Sequence, residues 1–290
     1  MYRRAVLLSS IAAAVFCLFC HQDASAAGIG NGVNLQPSYY NNGCVNFAWP
    51  LMEGISTVRI EIEPDKVEQA KGWLREAKAA GKTIIATYHE ADDLGSDNAN
   101  DLMAAAYWWQ DNYAALAAEA SFTLNLMNEW GSHNQTASTF ASAYNNAISA
   151  VRQVYSGTII VDCAGWGQET HVAADASSSI IDGSIMFSVH IYPAAWNSVT
   201  GQYVQNSDLD YLASVGGRPC IVGEFGNYSS GKPGKCDWSA VVNHAKSKGW
   251  PVLAWAWNGC GTSMNMVTPR WKDDPDATSF STNSYFTLMC

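Results

Sequence analysis

Phe122-Thr-Leu-Asn-Leu-Met-Asn-Glu-Trp130 is an apolar run that stops in two polar groups. Phe122, Leu124, Leu126 and Met127 read as a buried strand, and Asn128 and Glu129 stand at its end. A strand that ends in a carboxylate holds that group on a rigid element. Pro219-Cys-Ile-Val-Gly-Glu-Phe-Gly226 repeats the pattern, its apolar run ending at Glu224. Two such carboxylates in one chain suit an acid/base and nucleophile pair.

Outward from these two runs, strands and helices alternate. Strands are expected at Gly32–Gln36, Ser56–Ile62, Thr83–Tyr88 and Thr158–Asp162, then at Ile185–Val189 and Pro251–Ala256. Most are apolar or β-branched along their whole length, as in a parallel sheet buried on both faces. Between them lie helical patterns. Pro64 opens one with Val67, Ala70, Trp73, Leu74 and Ala77 on one face, closed by Gly81. Asp101–Ala120 is Ala/Leu-rich, Phe140 to Tyr155 has helical spacing, and Asp237 caps a helix carrying Val241, Val242 and Ala245. Weaker helices are expected at Val172–Ile180 and Leu209–Val215, and the tail has little periodicity. Eight strand–helix units in about 260 residues predict a single-domain (β/α)8 TIM barrel. An open doubly wound sheet fits the alternation less well, because no Gly-rich phosphate loop follows the first strand.

The chain is expected to begin with a secretory signal peptide, residues 1–26. Arg3 and Arg4 precede an apolar run from Ala5 to Cys20, and Ala24-Ser-Ala26 offers a small-residue cleavage site. The apolar run is short for a membrane span. The catalytic barrel would then cover 27–290, in a secreted, extracellular protein. Losing Arg3, Arg4 and Asp23 takes the formal charge from −10 to −11. An acidic surface argues against nucleic acid and anionic membranes as partners and fits an uncharged substrate. Of eight cysteines, Cys17 and Cys20 leave with the leader. The six that remain suggest disulfides in a secreted chain. Cys236 and Cys260 follow neighbouring strands and are candidates for one, whereas Cys220 and Cys236 lie at opposite strand ends. Beyond the leader there is no CxxC or HExxH, so neither a metal nor a cofactor is expected. Asn134 and Asn227 head glycosylation sequons, Asn134 being the one farther from Glu224.

In a barrel the active site lies at the carboxyl ends of the strands. There stand Arg59, His89, Asn128, Glu129, Trp166, His190, Tyr192, Glu224 and Trp257. Glycosidic hydrolysis needs two carboxyls, one to protonate the leaving oxygen and one to attack the sugar or activate water. Glu129 and Glu224, on the fourth and seventh strands, face each other across a ring of eight. Plainer readings exist for each residue. Glu224 fits a structural ion pair with Arg59, and Glu61, Glu63 and Glu90 also stand near strand ends. Lone histidines are more often satisfied polar residues than catalytic ones, and of Trp255 and Trp257 one is expected to face the barrel and the other the helices. The convergence of strand ends outweighs these.

The chain resembles glycoside hydrolase family five, retaining (β/α)8 enzymes that use two glutamates. The matching positions are Arg59 in TVRIEI, His89 in ATYHE, Asn128 and Glu129 in LNLMNEW, and His190 and Tyr192 in FSVHIYP, followed by Glu224 in IVGEFG and Trp257 in LAWAWNG. The resemblance implies Glu129 as acid/base and Glu224 as nucleophile. It implies Asn128 on the substrate 2-hydroxyl, His190 and Tyr192 as orienting residues, and Trp257 as sugar platform. NEW (with Trp130), AGWGQ (with Trp166), HIY and AWAWNG look most like the short bacterial-type endo-β-1,4-mannanases; the first strand and its loop through Cys44 match that pattern poorly. A monomeric enzyme on a β-1,4-linked polysaccharide is expected, with an endo-β-1,4-glucanase as the alternative. A non-catalytic polysaccharide-binding barrel is the alternative of a different class, disfavoured by the intact glutamates. On this reading Glu129 carries a raised pKa, and Glu224, beside Arg59, stays ionised.

Overall fold

The computed structural model describes residues 28–290 apart from Ser230 and Lys232. The leader and its cleavage site lie outside the described residues. Eight parallel strands close a barrel: β1 (Gly32–Leu35), β2 (Thr57–Ile62), β3 (Thr83–Tyr88), β4 (Thr123–Asn125), β5 (Ile159–Asp162), β6 (Ile185–Ile191), β7 (Cys220–Phe225) and β8 (Val252–Asn258). Each pairs with its neighbours in sequence, and β1 pairs with β8 to complete the ring.

Helices cover the outside where the apolar stripes predict them. Val67–Ala79 buries Ala70, Trp73, Leu74 and Ala77. Ala99–Ala117 is capped by the Asn98 side chain, Ala137–Val151 by a Thr136/Thr139 box, and Trp238–Ser247 by Asp237. Two departures stand out. No α-helix follows β1; three short 3-10 turns between Pro37 and Leu51 make that crossing. The tail, thought aperiodic, forms a helix at Ser284–Met289, capped by Asn283. It is only six residues long, too short to show a period. No described helix is long and apolar enough to cross a membrane.

The barrel interior has two zones. Ile85, Ile160, Met186, Ile221 and Leu253 form an apolar plug, with Ile29 packed against it. Nearer the carboxyl ends the interior turns polar, with Asn34, Arg59, Thr87, Asn125, Asp162 and Ser188 all fully buried. The plug is the floor on which the polar site rests.

The expected disulfide is absent: all six described cysteines are free thiols. Cys236 Sγ lies 3.3 Å from the Val204 carbonyl and Cys260 Sγ 3.0 Å from Thr262 Oγ1. Each thiol is turned to a polar partner other than the opposite cysteine.

Candidate active site

A single register slip sets the Glu224 side of the site. Along β6 and β7, Val189 pairs with Val222, but the next residue, His190, pairs with Glu224. Gly223 is the extra residue, a bulge that re-aims the strand end. A side chain there would collide, since a Cβ would lie 2.2 Å from Ser188 Oγ and 3.1 Å from His190 Nε2. The bulge brings Glu224 beside His190.

Arg59 organises the floor. Its Nη1 donates to Asn34 Oδ1 (2.9 Å), Glu61 Oε1 (3.2 Å) and Glu224 Oε1 (3.0 Å). Nε donates to Asn125 Oδ1 (3.0 Å) and Nη2 to Asn128 Oδ1 (2.6 Å). Asp162 stands 3.5 Å from Nη2. Burial opposes the Arg59 charge, but Glu224, Asp162 and Glu61 outweigh it and keep the guanidinium protonated. The ion pair between Arg59 and Glu224 therefore exists, inside the site rather than apart from it.

Above this floor sit the two carboxyls. Tyr192 Oη donates to Glu224 Oε2 at 2.7 Å, so both oxygens of Glu224 are held. Glu129 Oε1 lies 2.7 Å from His190 Nδ1, and the same nitrogen is 3.5 Å from Glu224 Oε1. Glu129 has a left-handed backbone, φ +51°, and its N–H donates to Asp162 Oδ2 at 3.0 Å. That conformation is disfavoured for a residue with a side chain and persists where its surroundings hold it.

Burial pushes the Glu224 carboxyl up to about 7; His190 and Arg59 pull it back, while Glu129 adds to the rise. Burial lowers His190, yet Glu224, Asp162 and Glu129 outweigh it and lift the imidazole to about 9. Burial and the Glu224 charge push the Tyr192 phenol well above its ordinary range, which keeps it a donor. The sequence reading left Glu224 ionised. In the structure burial pushes it upward, its side chain being only 4% exposed.

The other expected residues divide. Asn128 is in place, buried under Arg59. His89 lies one contact farther out, 2.6 Å from Glu63 Oε1 and 3.0 Å from Tyr39 Oη. Trp166 is exposed at the rim. Trp130 is not a substrate contact: it is 1% exposed, packs on Phe140 and Tyr144, and donates to the Asn98 carbonyl at 3.1 Å. Trp257 is no platform either, since it is 1% exposed and its indole donates to the Phe47 carbonyl. Trp255 is the half-buried tryptophan of β8, and the Tyr285 hydroxyl bonds its carbonyl. Strict alternation puts both on one face; β8 is irregular, with register shifts against β1 and β7. Asn34, Asn125 and Asp162 were missed, although each is a lone polar residue in an apolar run, a signal visible in the sequence.

Glu129, His190 and Glu224 offer ligand atoms within 4.8 Å of one another, the spacing of a metal site. Glu224 already accepts from Arg59 and Tyr192 with both oxygens, and Glu129 Oε1 is engaged by His190 Nδ1. A cation placed there would face the Arg59 guanidinium, so the residues do not fit one.

Two opposed carboxyls, a buried arginine under one and a histidine bridging both, at the carboxyl end of a (β/α)8 barrel, define a glycoside hydrolase. The family model for cellulase, glycosyl hydrolase family 5, matches residues 39–261. The chain belongs to that family. It is 30% identical over 261 residues to a mannan endo-1,4-beta-mannosidase of Streptomyces lividans, covering 83% of this chain and 65% of that protein. It is 27% identical over 231 residues to a protein of the same name from Salipaludibacillus agaradhaerens, covering 74% and 71%. In fold it matches the catalytic domain of a mannanase from Streptomyces sp. SirexAA-E, with a TM-score of 0.70 at 23% identity, over 89% of this chain and 82% of that one.

Proposed function

We propose that this protein is a secreted, monomeric, retaining endo-β-1,4-mannanase, acting on internal bonds of mannan, galactomannan or glucomannan. The observation that carries the mechanism is the approach of Glu129 and Glu224, whose nearest oxygens lie within 4.8 Å. Retaining enzymes hold their carboxyls about 5–5.5 Å apart, while inverting ones leave about 6.5–9.5 Å for a water. The gap here admits direct attack. Glu224 Oε forms a bond to the anomeric carbon as the glycosidic C–O bond breaks, and Glu129 gives its proton to the departing oxygen. Glu129 then takes a proton from water, whose oxygen bonds the same carbon and releases Glu224. Two inversions restore the configuration.

Arg59 and Tyr192 hold the two oxygens of Glu224, which stabilises the carboxylate form needed for attack. One chain supplies every residue of the site. Mannan is favoured over glucan by the kinship with mannan endo-1,4-beta-mannosidases. The leader-like sequence of residues 1–26 supports secretion.

Reducing-end release from galactomannan and carboxymethylcellulose, with Glu224→Ala as control, tests the reading. Release on mannan alone, abolished in the variant, supports it. Release mainly on the cellulose makes the enzyme an endo-glucanase of unchanged mechanism. Binding without release on either would favour a non-catalytic barrel. Proton NMR of the first-formed product reads the anomer: a β product supports retention, an α product refutes it.

A further inference from the structure

One buried carboxylate in the site takes no part in the two displacement steps. Asp162 ends β5 and is fully buried. Its Oδ1 accepts from Asn125 Nδ2 at 3.3 Å. Its Oδ2 accepts the Glu129 N–H at 3.0 Å and lies 3.5 Å from both Arg59 Nη2 and His190 Nε2. That imidazole nitrogen has no hydrogen bond of its own among the described residues. With His190 held protonated, all four of these groups are donors. A carboxylate only accepts, whereas an amide in its place would turn an N–H on one of them.

The Glu129 peptide needs an anchor of this kind. β4 stops at Asn125, short of Glu129. The left-handed backbone of Glu129, φ +51°, is disfavoured for a residue with a side chain. Two bonds oppose its relaxation. Its N–H donates to Asp162, and its carbonyl accepts the Gly95 N–H at 2.8 Å. Gly95 belongs to a loop. Asp162 belongs to a barrel strand and offers a carboxylate, the stronger kind of acceptor.

We infer that Asp162 is a positioning residue for acid/base catalysis: it ties the Glu129 peptide to β5 and so aims the Glu129 carboxyl at the leaving oxygen. This inference rests on the hydrolase reading above. Without that bond the backbone relaxes, and the carboxyl leaves its place 2.7 Å from His190 Nδ1. Glu224 keeps Arg59 and Tyr192 on its two oxygens, so attack on the sugar is spared.

Two substrates separate these effects. Cleavage of mannopentaose needs the proton from Glu129, whereas dinitrophenolate leaves a β-mannobioside without one. In Asp162→Ala, kcat/KM on mannopentaose falls about 10- to 100-fold, part of the about 10²–10⁴-fold that a placed general acid supplies. On the aryl glycoside kcat/KM falls less than about threefold, because that step needs no acid. Its kcat falls further, since Glu129 must still deprotonate water, and sodium azide restores it. The azide nitrogen bonds the anomeric carbon as the ester bond to Glu224 breaks, with no proton to remove, and β-mannosyl azide is the product. Asp162→Asn keeps the side-chain shape and one oxygen for the Glu129 N–H; it shows the same split between substrates at about 3- to 10-fold, and carries the test should Asp162→Ala not fold. In a Glu129→Gln background, Asp162→Ala adds less than about twofold on mannopentaose, because both changes act through one carboxyl. Equal losses on both substrates without azide rescue make Asp162 a merely structural residue and overturn the inference, as does a full mannopentaose rate in both variants. If the parent prefers glucans, cellopentaose and the cellobioside take their places. A parent inactive on mannan and cellulose oligosaccharides alike overturns the hydrolase reading and the positioning role with it.

Discussion

Replacing Arg59 with methionine removes the cation from a chamber that contains Glu61, Asp162 and Glu224, all at most 4% exposed. At 3.0 Å and an effective dielectric of about 20, the attraction to Glu224 alone is ~5 kcal/mol. Breaking a buried pair from one side costs about 3–5 kcal/mol, because the remaining charge is stranded. A domain of this kind has about 5–15 kcal/mol in total, so Arg59→Met is expected to lower the urea midpoint sharply while leaving a measurable folded fraction. A second effect falls on chemistry. A net ~1.4 kcal/mol of lost attraction lifts the Glu224 carboxyl by about one pH unit, from about 7. The acid limb of kcat/KM should move up by at least that much. Tryptophan fluorescence in urea reads the first effect, and a pH profile corrected for folded fraction reads the second. Loss under about 1 kcal/mol, with the acid limb unmoved, would refute the account of Arg59 as the site's counter-charge.

Tyr192→Phe deletes the 2.7 Å bond to Glu224 Oε2 and nothing else polar; a charge-assisted bond of about 1.5–3 kcal/mol predicts a kcat loss of about 10- to 100-fold, measured at saturating substrate. Trp130→Phe should lower the thermal midpoint, at a cost of about 1–3 kcal/mol from lost packing and an unpaired Asn98 carbonyl, with KM unchanged; a KM rise at unchanged stability would return Trp130 to the substrate. His89, which burial lowers but Glu61 and Glu63 raise to about 9, and His190, also about 9, are charged in the fold. Their folded values lie above the unfolded value of about 6.5, so their contribution is complete below about 6.5 and is lost as pH rises through about 9. The thermal midpoint is expected to fall across that window, and a flat profile from pH 6 to 10 would contradict the charged assignment.

The barrel was legible in the sequence because parallel strands buried on both faces are largely apolar or β-branched, as β3, β5, β6 and β7 show. Glu129, Glu224, Arg59, His190 and Tyr192 were legible because polar residues interrupt those runs at one end. What failed depended on register or on neighbours. Trp257 is buried while Trp255 is half-buried, in a strand whose pairing shifts register in a way that no period-two count contains. Trp130 follows Glu129 in sequence, but the left-handed backbone at Glu129 precedes a chain that turns it outward onto Phe140 and Tyr144. The even cysteine count suggested a bridge, yet pairing depends on where each thiol points. The missing helix after β1 lies in the Asn41–Cys44 region that matched the mannanase pattern poorly.

Arg59 also constrains the order in which this chain becomes a protein. Its partners span Asn34 on β1 and Glu224 on β7, the latter 165 residues away. A half-barrel ending after β5 would contain the guanidinium and Asp162 but not the glutamate. Such a piece would expose the charge chamber along an open edge, with no reason to exclude water. Closing so long a loop is entropically unfavourable until the last strands dock. The charged residues gathered at the site are thus the ones whose neutralisation waits for ring closure, so recovery of activity in refolding should follow the slowest phase of barrel assembly.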